Sequence, residues 1–203
     1  MKSVNSICYN VLKSGEAIML FRKIQAEIEQ HLLSDSNKIL IVDGARQIGK
    51  TYIIRYTGEK LFENYIEINM VEDSLGSRLF ENVKTVEDFY LQVSMLAGEK
   101  MKERNNTLIF IDEIQAYPHL LTLLKFLKQD NKFTYIASGS LLGVTLSKTT
   151  SIPMGSIEIK HMYPMDFEEF LLSQRICVVE CTRGKEERKN HIFSYLLYYV
   201  FQI

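Results

Sequence analysis

Gly44-Ala45-Arg46-Gln47-Ile48-Gly49-Lys50-Thr51 follows the apolar run Ile39-Leu40-Ile41-Val42 after a single aspartate, and this stretch decides the fold. It matches G-x-x-x-x-G-K-[ST] at every fixed position. The run before it predicts a buried strand, and Lys50 to Lys60 predicts a helix, so the loop joins a strand to a helix. Glycines let the backbone bend around an anion, so that N–H groups and the positive end of the helix face it. The stretch therefore predicts a nucleoside triphosphate site.

The eight residues of this loop are the candidate nucleotide ligands. Lys50 supplies a mobile positive charge for the outer phosphates, and the Thr51 hydroxyl suits a Mg²⁺ ion. The guanidinium of Arg46 reaches a phosphate, a neighbouring carboxylate or only water, and the sequence leaves these three open. The other positions are expected to contribute backbone groups: Gly44, Ala45, Gln47, Ile48 and Gly49.

A second motif is the apolar run 108–111 followed by Asp112-Glu113. Ligands of open α/β sheets bind outside the carboxyl ends of the strands, so Asp112 is expected near the metal ion held by Thr51. Glu113 emerges at the same edge and can polarise a water for attack on the γ-phosphate, which is the general-base role of a hydrolase. An isolated couplet of this kind is more often a solvated strand end, and the preceding loop favours the catalytic interpretation.

Polar residues at two further places are candidates for contact with the γ-phosphate or its attacking water. Ser138 ends a strand that we expect between the strands of the two motifs, and Ser140 is the alternative. Either serine is equally well explained as a turn former. Gln115 follows the acidic couplet and either orients water, relays the nucleotide state, or only caps or contacts solvent.

Strand-like and helix-like segments alternate along the chain. Besides the motif strands, the expected strands are Tyr65 to Asn69, Phe133 to Ala137 and Ile157 to Lys160. The expected helices carry apolar stripes at Leu20, Ile24, Ile28 and Leu32; at Val86, Phe89, Val93 and Leu96 after a capping box at Thr85–Asp88; at Leu120, Leu121, Leu124 and Leu127 after Pro118; and at Phe167, Phe170 and Leu171 after Asp166. This alternation predicts an α/β fold with a mostly parallel five-stranded sheet covered on both faces.

Composition argues against several classes of protein. Lys plus Arg (24) nearly equals Asp plus Glu (25), so no large positive excess indicates nucleic acid or an anionic membrane. No apolar run reaches the ~20 residues of a bilayer span, and no signal-peptide pattern begins the chain, which favours the cytoplasm. Cys8, Cys177 and Cys181 suit a reducing compartment, and ordinary small side chains are favoured over a zinc site with His191.

The chain divides into three parts by pattern. Residues 1–18 carry little pattern: either they form a leader, or translation starts at Met19 instead of Met1. Residues 19–172 carry both motifs and are expected to form the nucleotide-binding domain. Residues 173–203 comprise a charged linker and an apolar, Tyr-rich tail. That tail either docks on the domain or is the truncated start of a further domain.

Four motifs in order carry a family resemblance: GARQIGKT, IFIDEIQ, YIASGSLLGV and SIPMGSIEIKHMYPMDFEEFL. Together, over about 19–172, they resemble the prokaryotic AAA-type ATPases of the AAA+ superfamily, in which such a domain precedes a C-terminal domain of unknown function. The resemblance implies a three-layer P-loop NTPase core with ATP as the nucleotide. It also implies that Lys50 and Thr51 bind phosphate and Mg²⁺, that Asp112 coordinates the metal, that Glu113 activates water and that Ser138 senses the γ-phosphate.

The chain departs from this family at two places. Similar proteins continue well past the FEEFL segment, so this chain looks C-terminally truncated. Ser156 stands where relatives often carry Lys or Arg, and Lys148 lacks the planar fork of an arginine finger, so no such finger is assigned.

The expected function is hydrolysis of ATP to drive conformational change in an attached domain or an unknown protein partner, with self-association as a further possibility. One alternative is a nucleotide-gated switch or binding module with little turnover, acting on a protein or DNA. The other is an inactive truncated remnant.

Overall fold

Five strands form one sheet in which every neighbouring pair is parallel. The computed structural model describes residues 20–34, 36–101, 106–140 and 155–173. The strands are β1 (Ile39–Gly44), β2 (Asn64–Asn69), β3 (Thr107–Asp112), β4 (Thr134–Gly139) and β5 (Ile157–Met162). Their order across the sheet is β2-β3-β4-β1-β5, so β4 lies between the strands that precede the loop and the acidic couplet. The predicted parallel five-stranded sheet is confirmed.

Helices cover both faces of this sheet. They are α1 (Lys23–Leu33), α2 (Lys50–Leu61), α3 (Met70–Leu75), α4 (Val86–Ala97), α5 (Pro118–Asp130) and α6 (Phe167–Ser173), with 3₁₀ turns at Gly98–Met101 and Ile114–Ala116. Helices α1 and α2 pack on one face, and α3, α4 and α5 pack on the other. The molecule is therefore built in three layers.

The strand sequences explain why both faces are covered. Successive side chains of a strand point to opposite faces. Ile109 and Ile111 of β3 join the core cluster beneath α4 and α5, whereas Leu108 and Phe110 join the cluster beneath α1 and α2. A strand buried on both faces needs a continuous apolar run, which is what β1 and β3 have.

Most of the predicted helical stripes are buried. Ile24, Ile28 and Leu32 of α1 are buried, and α5 begins with Pro118 at its first turn. All four predicted leucines of α5 are buried too. Thr85 and Asp88 form the predicted reciprocal capping box at the start of α4. Local capping and periodicity thus predict the helices well.

Four residues predicted to lie on buried helical stripes are exposed, the first being Leu20, which is 45% exposed and precedes α1. Leu96 faces solvent because the stripe of α4 continues from Val93 to Ala97, one full turn later. Phe167 and Phe170 of α6 are exposed, while Glu169 is 5% exposed and lies inward. The polar contacts of Glu169 with the start of α1, described below, set the rotation of this short helix.

Several sequence predictions lie outside the described residues. They concern the leader 1–18 with Met19, the segment around Lys148, the cysteines with His191, and the tail beyond residue 173. Among the described helices, none combines the length and hydropathy that a bilayer span requires.

Candidate functional site

The loop between β1 and α2 has a backbone that favours glycine at two positions. Gly44 has φ 155°, and a Cβ there would lie 2.3 Å from the carbonyl oxygen of Met162 on β5. Gly49 is left-handed, with φ 94°, and caps the N-terminus of α2. The first glycine is needed for close approach of two backbones and the second for its conformation. The loop thus starts a 12-residue helix whose first N–H groups lack intrahelical partners.

Lys50 connects this loop to the end of β4. Its side chain is buried, and Nζ donates hydrogen bonds to the carbonyl oxygens of Gly44 at 3.1 Å and Ala45 at 2.7 Å. It also donates to Oγ of Ser140 at 3.2 Å. The ammonium group therefore lies between the loop and the strand that separates β1 from β3.

Asp112 connects the loop to β3. Its Oδ2 accepts a hydrogen bond from Oγ1 of Thr51 at 2.9 Å, and its Oδ1 accepts from the Ser138 hydroxyl. The N–H of Glu113 also donates to Oδ1, at 3.1 Å. The two motifs, 61 positions apart, meet in one contact.

The charge of Asp112 is poorly compensated. The side chain is 2% exposed, and this burial raises the pKa of Asp112. Hydrogen bonds from Ser138 and Thr51 lower the pKa by less, and the neighbouring charge of Glu113 raises it further. A buried carboxylate held by neutral hydroxyls and a peptide N–H, beside a second carboxylate, is an environment that a cation would stabilise.

Glu113 is held by the two side chains that the sequence treated as minor alternatives. Both of its carboxylate oxygens accept from Oγ of Ser140 at 3.1 Å, and the Gln115 amide also donates to it. Gln115 in turn accepts from the N–H of Ser140 at 3.2 Å. Glu113 has a left-handed backbone, with φ 53°, a conformation that is uncommon for a non-glycine residue and often found at functional sites.

The hydroxyls of Ser138 and Ser140 therefore donate hydrogen bonds to different carboxylates. Ser138 contacts Asp112, whereas Ser140 contacts Glu113 and also accepts from Lys50. The sequence presented them as alternatives for one place. The β4 backbone brings both to the site, because alternate residues at a strand end share one side of the strand.

The remaining loop residues line the exposed part of the site. Ala45, Arg46 and Gln47 are exposed, and Ile48 is partly buried. Gln47 has φ 62°. The eight predicted loop residues thus lie together at the carboxyl edge of the sheet, from Gly44 at the end of β1 to Lys50 and Thr51 in the first turn of α2.

Sequence inspection missed Arg22, which is buried beside this loop. Its guanidinium donates to the carbonyl oxygen of Ile48 at 2.8 Å and to the carboxylate of Glu169 at 3.2 Å. A D-x-x-E pattern at Asp166–Glu169 was available as a helix-start signal, and the two residues do exchange hydrogen bonds. A single arginine before a helix carries no comparable signal.

The donor set fits a magnesium triphosphate. Thr51 and Asp112 offer hard oxygen ligands, which Mg²⁺ prefers. Lys50 and the backbone N–H groups at the start of α2 offer positive charge to phosphate oxygens.

Comparisons with known proteins concern the family and the fold of this chain. The family model described as "AAA domain" matches residues 36–171. The structure of C. elegans PCH-2 is 18% identical, with a TM-score of 0.40, and the match covers 90% of this chain and 50% of that one. The S. cerevisiae Hsp104-ADP complex is 14% identical, with a TM-score of 0.52, and the match covers 84% of this chain and 25% of that one. No curated protein matches the chain.

Two things follow from these comparisons: one concerns the fold, and the other concerns the share of each known structure that this chain covers. At 14% identity, the similarity to Hsp104 concerns the fold alone. The chain spans half of one structure and a quarter of the other.

Proposed function

The chain belongs to the AAA domain family, and we propose from this membership that its domain, residues 19–172, binds ATP with Mg²⁺ and hydrolyses it. One observation carries the proposal: the loop and the acidic couplet meet at the carboxyl edge of the sheet. Thr51 contacts Asp112, and Ser140 joins Lys50 to Glu113. The AAA+ type of fold and the ADP held by the similar Hsp104 structure support an adenine nucleotide.

The loop residues 44–51 bind the phosphates in this proposal. Backbone N–H groups at the start of α2 and the ammonium of Lys50 contact phosphate oxygens. Thr51 and Asp112 are the residues that would hold Mg²⁺. When bound, the ion neutralises negative charge on the phosphate oxygens.

Glu113 is the general base, which accepts a proton from the water that attacks the γ-phosphate. The hydrogen bonds from Ser140 and Gln115 fix the direction of its carboxylate. Ser138, whose hydroxyl donates to Asp112, senses the γ-phosphate in this proposal. Turnover then depends on these side chains being held in position before ATP arrives.

The output of the cycle is a change of conformation passed to an attached domain or a protein partner in the cytoplasm. Self-association is part of this proposal. Size-exclusion chromatography with and without ATP tests it, and an elution volume that does not change with ATP contradicts nucleotide-dependent assembly.

The proposal is tested by measuring ATP binding and steady-state ATPase activity on the same preparations. Glu113→Gln is expected to lower turnover by about 100-fold or more while ATP binding survives, since it removes only the base. Lys50→Ala is expected to abolish binding. Glu29→Gln is the matched control, because it makes the same chemical change in a surface carboxylate paired with Lys60.

Equal ATPase rates in the wild type and Glu113→Gln would remove the mechanism. ATP binding by the wild type with no turnover would favour the nucleotide-gated switch. Absence of binding in the wild type would contradict both.

A further inference from the structure

Arg22 lies immediately before α1, and its guanidinium joins three separate parts of the chain. It is 7% exposed and donates to the carbonyl oxygens of Ile48 at 2.8 Å and Tyr163 at 2.6 Å. Its Nε donates to the carboxylate of Glu169 at 3.2 Å. One buried side chain thus contacts the phosphate loop, the segment after β5 and helix α6.

Glu169 extends this connection at the other end. Its Oε1 accepts from the N–H of Lys23 at 2.7 Å, and its Oε2 accepts from the N–H of Asp166 at 3.1 Å as well as from Arg22. The carboxylate therefore ties the first turn of α1 to the start of α6. The buried arginine and glutamate compensate each other's charge, so the position of each depends on the other.

The contact with Ile48 constrains the residue that follows it in the loop. In a planar trans peptide, the carbonyl oxygen and the next N–H point in opposite directions. Because Arg22 holds the Ile48 oxygen, the N–H of Gly49 is directed away from Arg22. Gly49 is the N-cap of α2, so this N–H belongs to the set that faces an anion at the helix start.

We propose that Arg22 is a positioning residue that orients the Gly49 N–H for phosphate and couples the loop to helix α6. This inference rests on the proposed nucleotide site and adds how that site communicates. Phosphate on the loop favours the peptide orientation that Arg22 holds. The same guanidinium then holds Tyr163 and Glu169, so nucleotide binding orders the segment 163–173. By linkage, an ordered α6 favours nucleotide binding to the same degree.

The geometry requires arginine rather than any cation. The guanidinium offers donors in a fixed planar fork, and three acceptors in three directions use it. A lysine keeps the charge but offers one compact ammonium group, which cannot reach all three acceptors in the same geometry. Arg22→Lys therefore separates the charge from the coupling.

The test uses the full chain and compares the wild type, Arg22→Lys and a control, Lys23→Ala. The control removes exposed ion pairs between α1 and α6, with Asp166 and Glu168, but keeps the backbone contact to Glu169 and every Arg22 contact. ADP with Mg²⁺ is the probe. Its affinity is measured by calorimetry, and hydrogen exchange of residues 163–173 is measured with and without ADP.

We expect ADP to slow exchange of residues 163–173 in the wild type and in Lys23→Ala. Arg22→Lys is expected to bind ADP about tenfold more weakly and to lose this ADP-dependent difference. If Arg22→Lys does not fold, the double variant Arg22→Gln, Glu169→Gln replaces it, because it leaves no unpaired buried charge. The same loss is expected there.

Three results would overturn the coupling. The first is an Arg22 variant with wild-type ADP affinity and an unchanged exchange difference. The second is a variant that is only less stable, with a lower Tm but the same ADP-dependent protection, as a purely structural role predicts. The third is ADP bound by the wild type with no effect on residues 163–173. A wild type that binds neither ADP nor ATP contradicts the proposed function instead.

Discussion

Two buried aspartates in different regions of the molecule are compensated in different ways. Asp112, at the end of β3, accepts from two hydroxyls and one peptide N–H, beside the charged Glu113. Asp73, in α3, is 8% exposed and accepts from four donors: Ser77 Oγ, Leu79 N–H and Phe80 N–H of the following loop, and the OH of Tyr117, which follows the 3₁₀ turn Ile114–Ala116. Both carboxylates are buried, but Asp73 has more hydrogen-bond donors than Asp112.

The pKa values of the two carboxyls move in opposite directions. Burial raises the pKa of Asp112, and its hydrogen bonds do not offset this. Burial also opposes ionisation of Asp73, but the Phe80 N–H, the Ser77 hydroxyl and the other donors lower its pKa overall. Asp73 therefore stabilises the loop after α3, whereas the buried charge of Asp112 lowers the stability of the protein without nucleotide or metal. A residue retained at such a cost is a functional candidate.

The largest expected difference is in ATP turnover. Asp112→Asn is expected to lower kcat by about 100-fold or more, because it removes a charge proposed to hold the metal ion. Asp73→Asn is expected to leave kcat within about threefold, since the donors that hold Asp73 lie outside the proposed site. Steady-state ATPase assays with excess Mg²⁺ measure both. Equal losses in the two variants would erase the distinction.

Stability without nucleotide is expected to show the reverse order. Asp73→Ala leaves the buried N–H of Phe80 and the partly buried N–H of Leu79 without their acceptor and should lower the free energy of unfolding by about 2–3 kcal/mol. Asp112→Asn, which removes a poorly compensated charge, should change it by less than about 1 kcal/mol. Urea denaturation in nucleotide-free buffer gives both values. A greater loss in Asp112→Asn would show that Asp112 is the structural residue.

The pH dependence of stability should separate the two aspartates by sign. Asp73 has a lowered pKa when folded, so its contribution is present above its unfolded pKa, about 3.9, and is lost as pH falls through the folded value. Asp112 has a raised pKa, so its presence lowers stability as pH rises from the unfolded value through the folded one.

Unfolding free energies between about pH 2 and 7 test these signs, because the contribution of Asp73 is lost only below its unfolded pKa of about 3.9. The advantage of the wild type over Asp73→Asn should shrink toward acid pH, by up to about 1.4 kcal/mol per pH unit for one proton. The free energy of unfolding of Asp112→Asn should increase relative to that of the wild type as pH rises over the same range. Parallel curves for both variants would contradict the assigned directions.

The smallest expected effects come from removing one hydroxyl donor from each aspartate. Burial and the hydrogen bond to Asp73 raise the pKa of Tyr117 to about 12, so its hydroxyl remains a donor at neutral pH. Tyr117→Phe should cost about 1 kcal/mol of stability with little change in kcat. Ser138→Ala should lower kcat by about tenfold with a smaller change in stability. Paired unfolding and ATPase measurements check this, and a stability loss confined to Ser138→Ala would contradict it.

The fold was largely predictable, because its strands and helix starts depend on short-range sequence patterns. Continuous apolar runs predict strands buried on both faces, and the Thr85–Asp88 capping box and Pro118 predict helix starts within a few residues. The AAA-type resemblance agrees with the family match over residues 36–171. The catalytic and metal roles of the site residues stay predictions, although the structure brings Lys50, Thr51, Asp112, Glu113 and Ser138 together.

By itself, the sequence determined which backbone segments are strands, where a glycine-containing loop joins a strand to a helix, and which carboxylates end a buried strand. These depend on spacing within a few residues. Tertiary structure alone decided that Arg22 meets Glu169, 147 positions away, that Ser140 serves Glu113, and that Phe167 faces outward while Glu169 faces inward. Such choices depend on which strand lies beside which and on how buried charges are compensated, and no local pattern carries that information.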